Sequence, residues 1–520
     1  MSKHWDMIVV GAGSAGAALA ARSADKGKRV LLLEAGLDYR SAQMPPVWRS
    51  PNPMRALLEP SAGDSLKWEN LTASRTDNQE PSLFWRGRGV GGSSAINGQI
   101  AIRPPMEDFD TWASWGCEGL ARDEVLPYLN RLEDDQEFGD APYHGRGGPT
   151  PIYRTPQSEW GAVDKALVAA GRAAGFPWAP DLNAPGATGV SPYPINSSNH
   201  QRVSTNDAYL EPRRNNELLT IWGGSLVERV RFEGDRAVGV DVVRDGSALS
   251  VFADEIVISA GAIHSPAILM RSGIGPMSDL ERLGIEVRND LPVGVGLQDH
   301  PTVFVQIPLR EEAAAKTPDD RHTNVTIRYT SDDPSAQFND LMIVAGNQNV
   351  LAMEHADVNF GAGAFYIWVN QVYSRGTVRL VSSDAGIDPQ VQMRMLSDPR
   401  DLSRMRSGVR TAVELTNSAA VEAITLGAPN RLDEGLMRVI DDDADLDRYL
   451  LEVAADAQHT TSTCRMGPAS DPASVVDSRC QVHGEHGLYV VDASIFPSAP
   501  RANTNLVTIM IGELMADRLG

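Results

Sequence analysis

The sequence predicts an α/β fold, α+β overall, in which a domain built on a parallel sheet is covered by a second, discontinuous domain. A strand/helix/strand unit opens the chain, and strand-like apolar runs return as far as its end. A chain of 520 residues also exceeds the size at which one hydrophobic core usually stops growing, so two domains are expected. We assign residues 1–150, 200–305 and 455–520 to the first domain, and residues 151–199 and 306–454 to the second.

The opening unit consists of two short apolar strands with a helix between them. The strands are expected at Met7 to Val10 and at Val30 to Leu33, and a glycine turn leads from the first strand into an alanine-rich helix. Strands joined through a helical crossover run parallel. The unit therefore predicts a parallel sheet.

Four later runs are apolar enough to be further buried strands of the same sheet. The segments between them differ in character: residues 150–200 are rich in Pro, Asn and Gly, and residues 305–450 mix strand-like alternation with helical periodicity. These segments are assigned to the second domain. The additional strands are predicted at residues 218–222, 237–243, 254–262 and 487–495.

Charge and cysteine content disfavour several classes of protein. The 47 basic and 68 acidic residues give a net charge of −21 at pH 7, and the absence of long basic runs argues against nucleic-acid binding. The acidic surplus either serves solubility or favours a neutral or cationic substrate.

Three cysteines fit a reducing compartment better than a disulfide framework. Since no cleavable leader and no run of about 18 apolar residues is apparent, we expect a cytoplasmic protein without a membrane span.

The turn after the first strand carries a phosphate-binding pattern. Gly11, Gly13 and Gly16 form GxGxxG, with Ser14 and Ala15 between the last two glycines. Such glycines permit a tight turn and let a pyrophosphate approach the helix N-terminus, where free N–H groups and the helix dipole favour negative charge.

An acidic residue follows at the distance that this pattern requires. Glu34 ends the second strand, about 20 residues after the glycines, and Ala35 follows it. A carboxylate at this place accepts hydrogen bonds from the ribose of a dinucleotide. The pattern predicts dinucleotide binding, with an incidental glycine turn as the alternative, and it does not distinguish FAD from NAD.

A second glycine cluster, WRGRGVGGSSAINGQIAIRPPMEDFDTW at residues 85–112, can lie flat against a planar ring with its N–H groups turned towards the ring. From Gly87 through Asp110 it resembles the first signature of the glucose/methanol/choline (GMC) oxidoreductase family. GAIHSPAILMRSGIG at residues 261–275 is similar to the second signature of that family. Further matches bring the resemblance to nearly the whole chain; they lie at residues 292–301, 374–380 and in the C-terminal segment.

The resemblance implies a pair of catalytic residues. QHTTSTCRMG, at residues 458–467, resembles the family's His-x-x-Gly-Thr-x-x-Met-Gly, whose histidine faces the flavin and the substrate alcohol; this role falls on His459. From its residue type alone, His459 would more often be a structural histidine, and the motif around it favours the catalytic role. The family's second catalytic residue, His or Asn just before the last helix, falls on Asn505. One position departs from the pattern: Ser462 replaces the family glycine, which leaves the local backbone geometry and oxygen access open.

The resemblance also implies FAD as the cofactor, which makes the first domain a Rossmann-like FAD-binding domain and the second a substrate-binding domain built on an antiparallel sheet. In some members a histidine tethers FAD covalently; the residue at that position is Ile96, so non-covalent FAD is predicted. The dipole of the terminal helix is expected to face the anionic edge of the flavin. The residues expected to contact FAD are Gly11, Gly13, Ser14, Ala15, Gly16, Glu34, Ala35, Arg88, Gly92, Ser93, Asn97, Gly98, Gln99, Ile100, Val227, Gln458, Asp492, Ala493 and Thr508.

The implied reaction is oxidation of a primary alcohol to an aldehyde, with hydride transfer to flavin N5. Hydride leaves readily only as the hydroxyl proton is removed, so His459 is expected to act as the base. The Asn505 amide would stabilise the developing alkoxide. Oxygen, a quinone or another carrier could reoxidise the flavin. The alternatives are a lyase of the hydroxynitrile lyase type with structural FAD, and a flavin-holding protein without catalysis. The oligomeric state stays open.

Three further features allow two interpretations each. His264, in the second signature, is expected to be structural rather than titrating. Cys480, His483 and His486 have a spacing that suggests a metal, but no fourth ligand is evident and we expect none. Four aromatic residues either line a pocket for an aromatic or furan alcohol or pack in the core; they are Phe365, Tyr366, Trp368 and Tyr373. Sugars, pyridoxine-like compounds and amino alcohols also remain open as substrates.

Overall fold

The computed structural model describes residues 4–55, 66–348, 362–427 and 434–520. Its strands form a mixed seven-stranded sheet, an antiparallel six-stranded sheet and three smaller sheets. In chain order the strands are β1 (Trp5–Val10), β2 (Val30–Leu33), β3 (Thr72–Ser74), β4 (Ser82–Leu83), β5 (Glu133–Asp135), β6 (Thr150–Arg154), β7 (Gly189–Pro192), β8 (Pro194–Ile195), β9 (Ser197–Ser198), β10 (Gln201–Arg202), β11 (Leu219–Trp222), β12 (Ser225–Glu233), β13 (Arg236–Arg244), β14 (Ser247–Ile258), β15 (Val295–Leu297), β16 (Pro301–Pro308), β17 (Val325–Tyr329), β18 (Leu341–Gly346), β19 (Ala362–Val369), β20 (Gly376–Arg379), β21 (Gln390–Gln392), β22 (Ala455–Asp456) and β23 (Leu488–Val490).

The helices cover both sheets and close the chain. In chain order they are α1 (Ser14–Asp25), α2 (Glu107–Ser114), α3 (Arg122–Leu132), α4 (Ala162–Ala173), α5 (Gly261–Arg271), α6 (Met277–Arg282), α7 (Pro399–Thr416), α8 (Ala419–Glu422), α9 (Glu434–Val439), α10 (Asp443–Val453) and α11 (Asn505–Leu519).

The seven-stranded sheet brings distant segments of the chain to one edge. Strands β11, β2, β1 and β14 are parallel neighbours, and β23 pairs in parallel with β14. Val10 is paired with both Leu33 and Ile258, so these strands end at the same level. Loops that leave the carboxyl ends of parallel strands form the usual ligand crevice of open α/β sheets.

Helices α1 and α11 pack closely against each other because small residues lie at their contact. Helix α1, rich in alanine, packs against α11, and a Cβ on Gly512 would lie 2.5 Å from the Ala15 carbonyl oxygen. All four residues of β2 are buried, as expected for a parallel strand covered on both faces. The terminal helix is thereby fixed over the start of α1.

The six-stranded sheet has the order β22-β16-β19-β18-β17-β7, with antiparallel neighbours throughout. Helices α4 and α7 pack on one face. Along β19, Phe365 and Ile367 belong to the core beneath these helices, whereas Ala364 and Tyr366 belong to a separate cluster on the opposite face. This alternation follows from the two-residue period of a strand.

The predicted fold class is confirmed, including the parallel sheet and the antiparallel sheet of the second domain. All six predicted strands belong to the seven-stranded sheet, but β13, predicted at 237–243, runs antiparallel because it forms a ribbon with β12 and β14. The domain bounds stay a prediction.

Among the described residues, no helix has both the length and the apolar character that crossing a bilayer requires.

Candidate active site

A cavity of about 1360 Å³ runs from the carboxyl edge of the parallel strands to the face of the six-stranded sheet that α4 and α7 leave uncovered. Gly11, Gly13 and Glu34 line one end, and Trp368 and His459 line the other. The cavity therefore connects the phosphate-binding turn with the histidine of the QHTTSTCRMG segment.

The glycine turn is as tight as the sequence pattern requires. Gly11 has φ +103°, and a Cβ at this position would lie 2.4 Å from the Ser259 carbonyl oxygen. A Cβ on Gly16 would lie 2.0 Å from the Gly11 carbonyl oxygen. Beside Gly13, in contrast, the space for a Cβ is open. Backbone N–H groups of the first turn of α1 are therefore accessible to an anion in the cavity.

The Glu34 carboxylate fixes the loops around this turn. Its two oxygens accept hydrogen bonds from the backbone N–H groups of Ala12 (3.0 Å), Gly36 (2.8 Å) and Gly89 (2.9 Å). Because a carboxylate oxygen has two lone pairs, Glu34 keeps acceptor capacity for a ribose hydroxyl. The glycine turn, the end of β2 and the second glycine cluster are thus held in one arrangement.

Asp492 plays a similar part at the end of β23. Its carboxylate accepts from the N–H groups of Gly261 and Ser494, at 2.8 Å each, and from the Ser265 hydroxyl at 2.5 Å. Burial raises the pKa of Asp492, and these hydrogen bonds oppose the shift. The contacts hold the strand end against the start of α5.

Most residues predicted to bind the cofactor lie along the cavity, whose glycine turn and accessible backbone N–H groups fit the pyrophosphate of FAD. Among the described residues, three of the predicted set do not line it: Gly16 packs inside the turn, the Arg88 guanidinium lies over the Trp68 ring at 4.9 Å, and Gln99 accepts from Arg321. The predicted residues that line the cavity are Gly11, Gly13, Ser14, Ala15, Glu34, Ala35, Gly92, Ser93, Asn97, Gly98, Ile100, Val227, Gln458, Asp492, Ala493 and Thr508.

His459 is 8% exposed and is held by contacts from three other segments of the chain. Its backbone N–H donates to Asp299 Oδ1 at 2.9 Å. The ring Nδ1 lies 2.9 Å from Nδ1 of His300, and the ring Nε2 lies 3.0 Å from Nδ2 of Asn503. The Trp368 ring packs edge-on at 5.4 Å between centroids. Burial, together with His300 and Arg86, lowers the pKa of His459 well below its usual value, so the imidazole is neutral near pH 7.

Asn505, predicted as the second residue of the pair, lies elsewhere. It is the first residue of α11, and its Oδ1 accepts from the Ser14 hydroxyl at 2.8 Å, in the nucleotide half of the cavity. Asn503, two residues earlier, contacts His459 instead. The family pattern places this residue just before the last helix, and Asn503 meets that condition while Asn505 does not. The segment ANTN offers two candidates, and only the helix boundary separates them.

Ser462, the departure from the family glycine, adopts φ +70°. This is the left-handed region that glycine favours and serine rarely occupies. The residue is fully buried; its N–H donates to the Ala493 carbonyl at 3.2 Å and its hydroxyl to Thr461 Oγ1 at 3.1 Å. The backbone therefore keeps a glycine-type conformation despite the side chain.

His264 stacks on Trp68 at 4.0 Å between ring centroids, with its Nε2 at 3.4 Å from Asp388. It lines the cavity but has no contact with His459 among the interactions of the described residues. The expectation that it is structural stays a prediction.

The residues of the suspected metal motif face different partners. Nε2 of His483 lies 3.1 Å from the Gly467 carbonyl oxygen, and His486 lies 3.5 Å from Asp235. Cys480 is fully buried in the apolar core. The three side chains are thus not oriented towards a common point.

The four aromatic residues separate into two groups. Tyr366 and Trp368 line the cavity, with Phe304 packed edge-on against Tyr366 at 4.9 Å. Phe365 packs in the core under α7, and Tyr373 lies beneath the Arg400 guanidinium at 3.6 Å. The pocket interpretation therefore holds for Tyr366 and Trp368 and the core interpretation for Phe365, whereas Tyr373 is half-buried and belongs to neither group.

The chain is similar to known proteins over most of its length. Models of the GMC oxidoreductase family match residues 5–302 and 372–512. The chain is 36% identical to the 5-(hydroxymethyl)furfural oxidase of Methylovorus sp. (strain MP688), over 99% of this chain and 98% of that protein. It is 32% identical to the oxygen-dependent choline dehydrogenase of Photobacterium profundum, over 100% of this chain and 93% of the relative.

A similar structure is pyridoxine 4-oxidase from Mesorbium loti, with a TM-score of 0.88, 29% sequence identity and 99% coverage of both chains. Sequence and structure thus agree over essentially the full length. The chain belongs to the GMC oxidoreductase family and is an FAD-dependent enzyme that acts on CH–OH groups.

Proposed function

We propose that this enzyme oxidises a primary aryl alcohol to its aldehyde, with His459 as the base and Asn503 as the hydrogen-bond donor to the alcohol oxygen. The observation that carries the proposal is the contact between Nε2 of His459 and Nδ2 of Asn503, at 3.0 Å, at the aromatic end of the cavity. Bound FAD supplies the hydride acceptor, flavin N5. The residues of the chain supply the remaining steps.

The proton of the alcohol is removed by His459. A neutral imidazole has one nitrogen lone pair, and burial together with His300 and Arg86 keeps His459 neutral near pH 7. An alcohol oxygen that replaces the direct contact between Nε2 and the Asn503 amide would be within hydrogen-bond reach of both groups. The base then takes the O–H proton as the C–H hydride leaves.

Asn503 is suited to hold the oxygen on which negative charge develops. Its Nδ2 donates in the observed contact, and its buried Oδ1 has no hydrogen-bond partner among the described residues. An amide stabilises alkoxide character without competing for the proton. The pair thus separates the two tasks between an acceptor and a donor.

The walls of the pocket favour an aromatic substrate. Phe304, Tyr366 and Trp368 line the cavity near His459. Of the carboxylates that line its described part, Asp456 pairs with Arg75 at 2.7 Å, whereas Glu34 and Asp492 accept from backbone N–H groups. No unpaired carboxylate therefore remains among them to bind the ammonium of an amino alcohol such as choline.

A panel of alcohols tests this function. We expect benzyl and furfuryl alcohols to have kcat/KM at least about tenfold above choline, since the trimethylammonium of choline would lose its hydration in the pocket without a carboxylate to pair with it, and an unpaired buried charge costs on the order of several kcal/mol. Turnover is followed in air by peroxide release and anaerobically with an artificial dye. A preference for choline would overturn the proposed substrate class.

Oxygen as the electron acceptor and a cytoplasmic location are also proposals. The first is supported by relatives named as oxidases or as oxygen-dependent. Peroxide release in the same assay tests oxygen directly. Activity with the dye alone would favour a quinone or a protein carrier.

FAD is expected to be held without a covalent bond. Ile96 lines the cavity where some relatives have the tethering histidine, and its side chain has no nucleophilic atom. Acid precipitation of the holoenzyme should therefore leave the yellow colour in the supernatant. Colour retained in the washed pellet would show a covalent link.

A further inference from the structure

His300 lies directly behind the proposed base and is fully buried. It comes from the segment before β16, and 159 residues separate it from His459 along the chain. Its Nε2 lies 3.0 Å from the Pro500 carbonyl oxygen, and its Nδ1 lies 2.9 Å from Nδ1 of His459. The two rings meet edge to face at 80°. Both nitrogens of His300 are therefore engaged.

Counting protons along the hydrogen bonds that connect Pro500, His300, His459 and Asn503 leaves one arrangement in which both imidazoles are neutral. A carbonyl oxygen only accepts, so Nε2 of His300 must carry its proton towards Pro500. A neutral imidazole has a single N–H, which makes Nδ1 of His300 an acceptor. Nδ1 of His459 must then donate to it. The remaining nitrogen of His459, Nε2, has a lone pair, in agreement with the Asn503 amide that donates to it.

The competing arrangement has a positively charged His300 that donates through both nitrogens. Burial lowers the pKa of His300 to about 4, which disfavours that form near neutral pH. The charged groups around the two rings do not offset this lowering of the pKa of His300. Arg86 is itself cationic, and burial together with Asp456 raises the pKa of Asp299, which disfavours the negative charge that could stabilise a cationic His300.

We propose that His300 is a positioning residue that holds the proton of neutral His459 on Nδ1 and so keeps the Nε2 lone pair directed at the alcohol. This inference rests on the proposed role of His459 as the base. The orientation matters because the alcohol proton passes to Nε2, and a proton already on Nε2 would block the transfer. After the transfer, the imidazolium still donates through Nδ1 to His300.

Two substitutions separate this role from simple packing. His300→Leu removes the acceptor, so a proton on Nδ1 of His459 would be buried without a partner. His300→Asn keeps a carbonyl oxygen near the position of Nδ1. We expect His300→Leu to lower kcat by about 10- to 100-fold with little change in KM, the effect of one unsatisfied buried donor. His300→Asn should recover most of this loss. His483→Leu, a histidine that contacts Ser474 and Gly467, is the control.

A direct measurement does not depend on turnover. In holoenzyme labelled with ¹⁵N-histidine, ring nitrogens that carry a proton resonate apart from those with a lone pair, and His459→Gln identifies the signals of His459 among the 10 histidines. We expect Nε2 of His459 to be of the lone-pair type in wild type and in His300→Asn, and to gain proton character in His300→Leu.

The outcomes are distinguishable from those of the proposed function. A wild-type Nε2 that carries the proton would overturn the role of His300, and so would equal kcat in wild type and His300→Leu. If no alcohol of the panel is oxidised, the substrate proposal fails while the nitrogen signals still decide the proton position. If His300→Leu does not fold, wild type and His300→Asn carry the test.

Discussion

His459→Ala is expected to slow alcohol oxidation by at least about 100-fold while the purified protein stays yellow, since a positioned acid/base group contributes about 10²- to 10⁴-fold. The alanine side chain has no nitrogen to accept the alcohol proton. In the wild type that acceptor is Nε2 of His459, which lies 3.0 Å from the Asn503 amide. Most of the residues proposed to contact FAD line the nucleotide half of the cavity, so the cofactor should remain bound. Anaerobic flavin bleaching by substrate in a stopped-flow instrument measures the effect.

The pH dependence provides an independent check on the same residue. Because burial holds the pKa of His459 well below its usual value, the neutral base persists below neutral pH. Wild-type kcat/KM should therefore stay level near pH 7 and fall only as the pH drops through that depressed pKa, where His459 becomes protonated. The acidic limb should be lost in His459→Ala. Bleaching at the wild-type rate in the variant would remove His459 from the mechanism.

Asn503→Ala is expected to lower kcat by about 10²- to 10³-fold, as found when one preorganised donor to a developing oxyanion is removed. The loss should appear in kcat rather than in KM, because the donor interacts most strongly when negative charge has built up on the oxygen. The measurement is steady-state kinetics with the best alcohol of the panel. A change confined to KM would mean that Asn503 only anchors the substrate.

Asn505→Ala is the matched comparison. Its side chain accepts from Ser14, so the substitution removes one hydrogen bond in the nucleotide half of the cavity. A typical hydrogen bond contributes about 0.5–1.5 kcal/mol, which limits the expected loss in FAD affinity to about tenfold. A larger loss of kcat at Asn505 than at Asn503 would restore the assignment made from sequence.

The nucleotide half of the site follows from sequence because its residues are close in sequence to the elements that hold them. Gly11 and Glu34 follow β1 and β2 directly, and the parallel register of those strands brings them together. Apolar runs also predict β14 and β23. The reversed direction of β13 was missed because periodicity reports burial, not strand orientation.

The substrate half depends on contacts that no local pattern encodes. His300 reaches His459 only through the fold, and the choice between Asn503 and Asn505 depends on where α11 begins. The aromatic run of β19 could not be resolved either. A single strand predicts alternation, but which face is covered by α7 is decided by tertiary packing.

The two faces of β19 have a consequence for how such an enzyme can diversify. Tyr366 and Trp368 can be exchanged without disturbing the packed layer that Phe365 and Ile367 build beneath α7. Selectivity and thermal robustness are therefore encoded by interleaved positions of one segment. Libraries confined to Tyr366 and Trp368 should yield altered preferences with smaller losses of melting temperature than changes at Phe365 and Ile367, which should mostly yield aggregates.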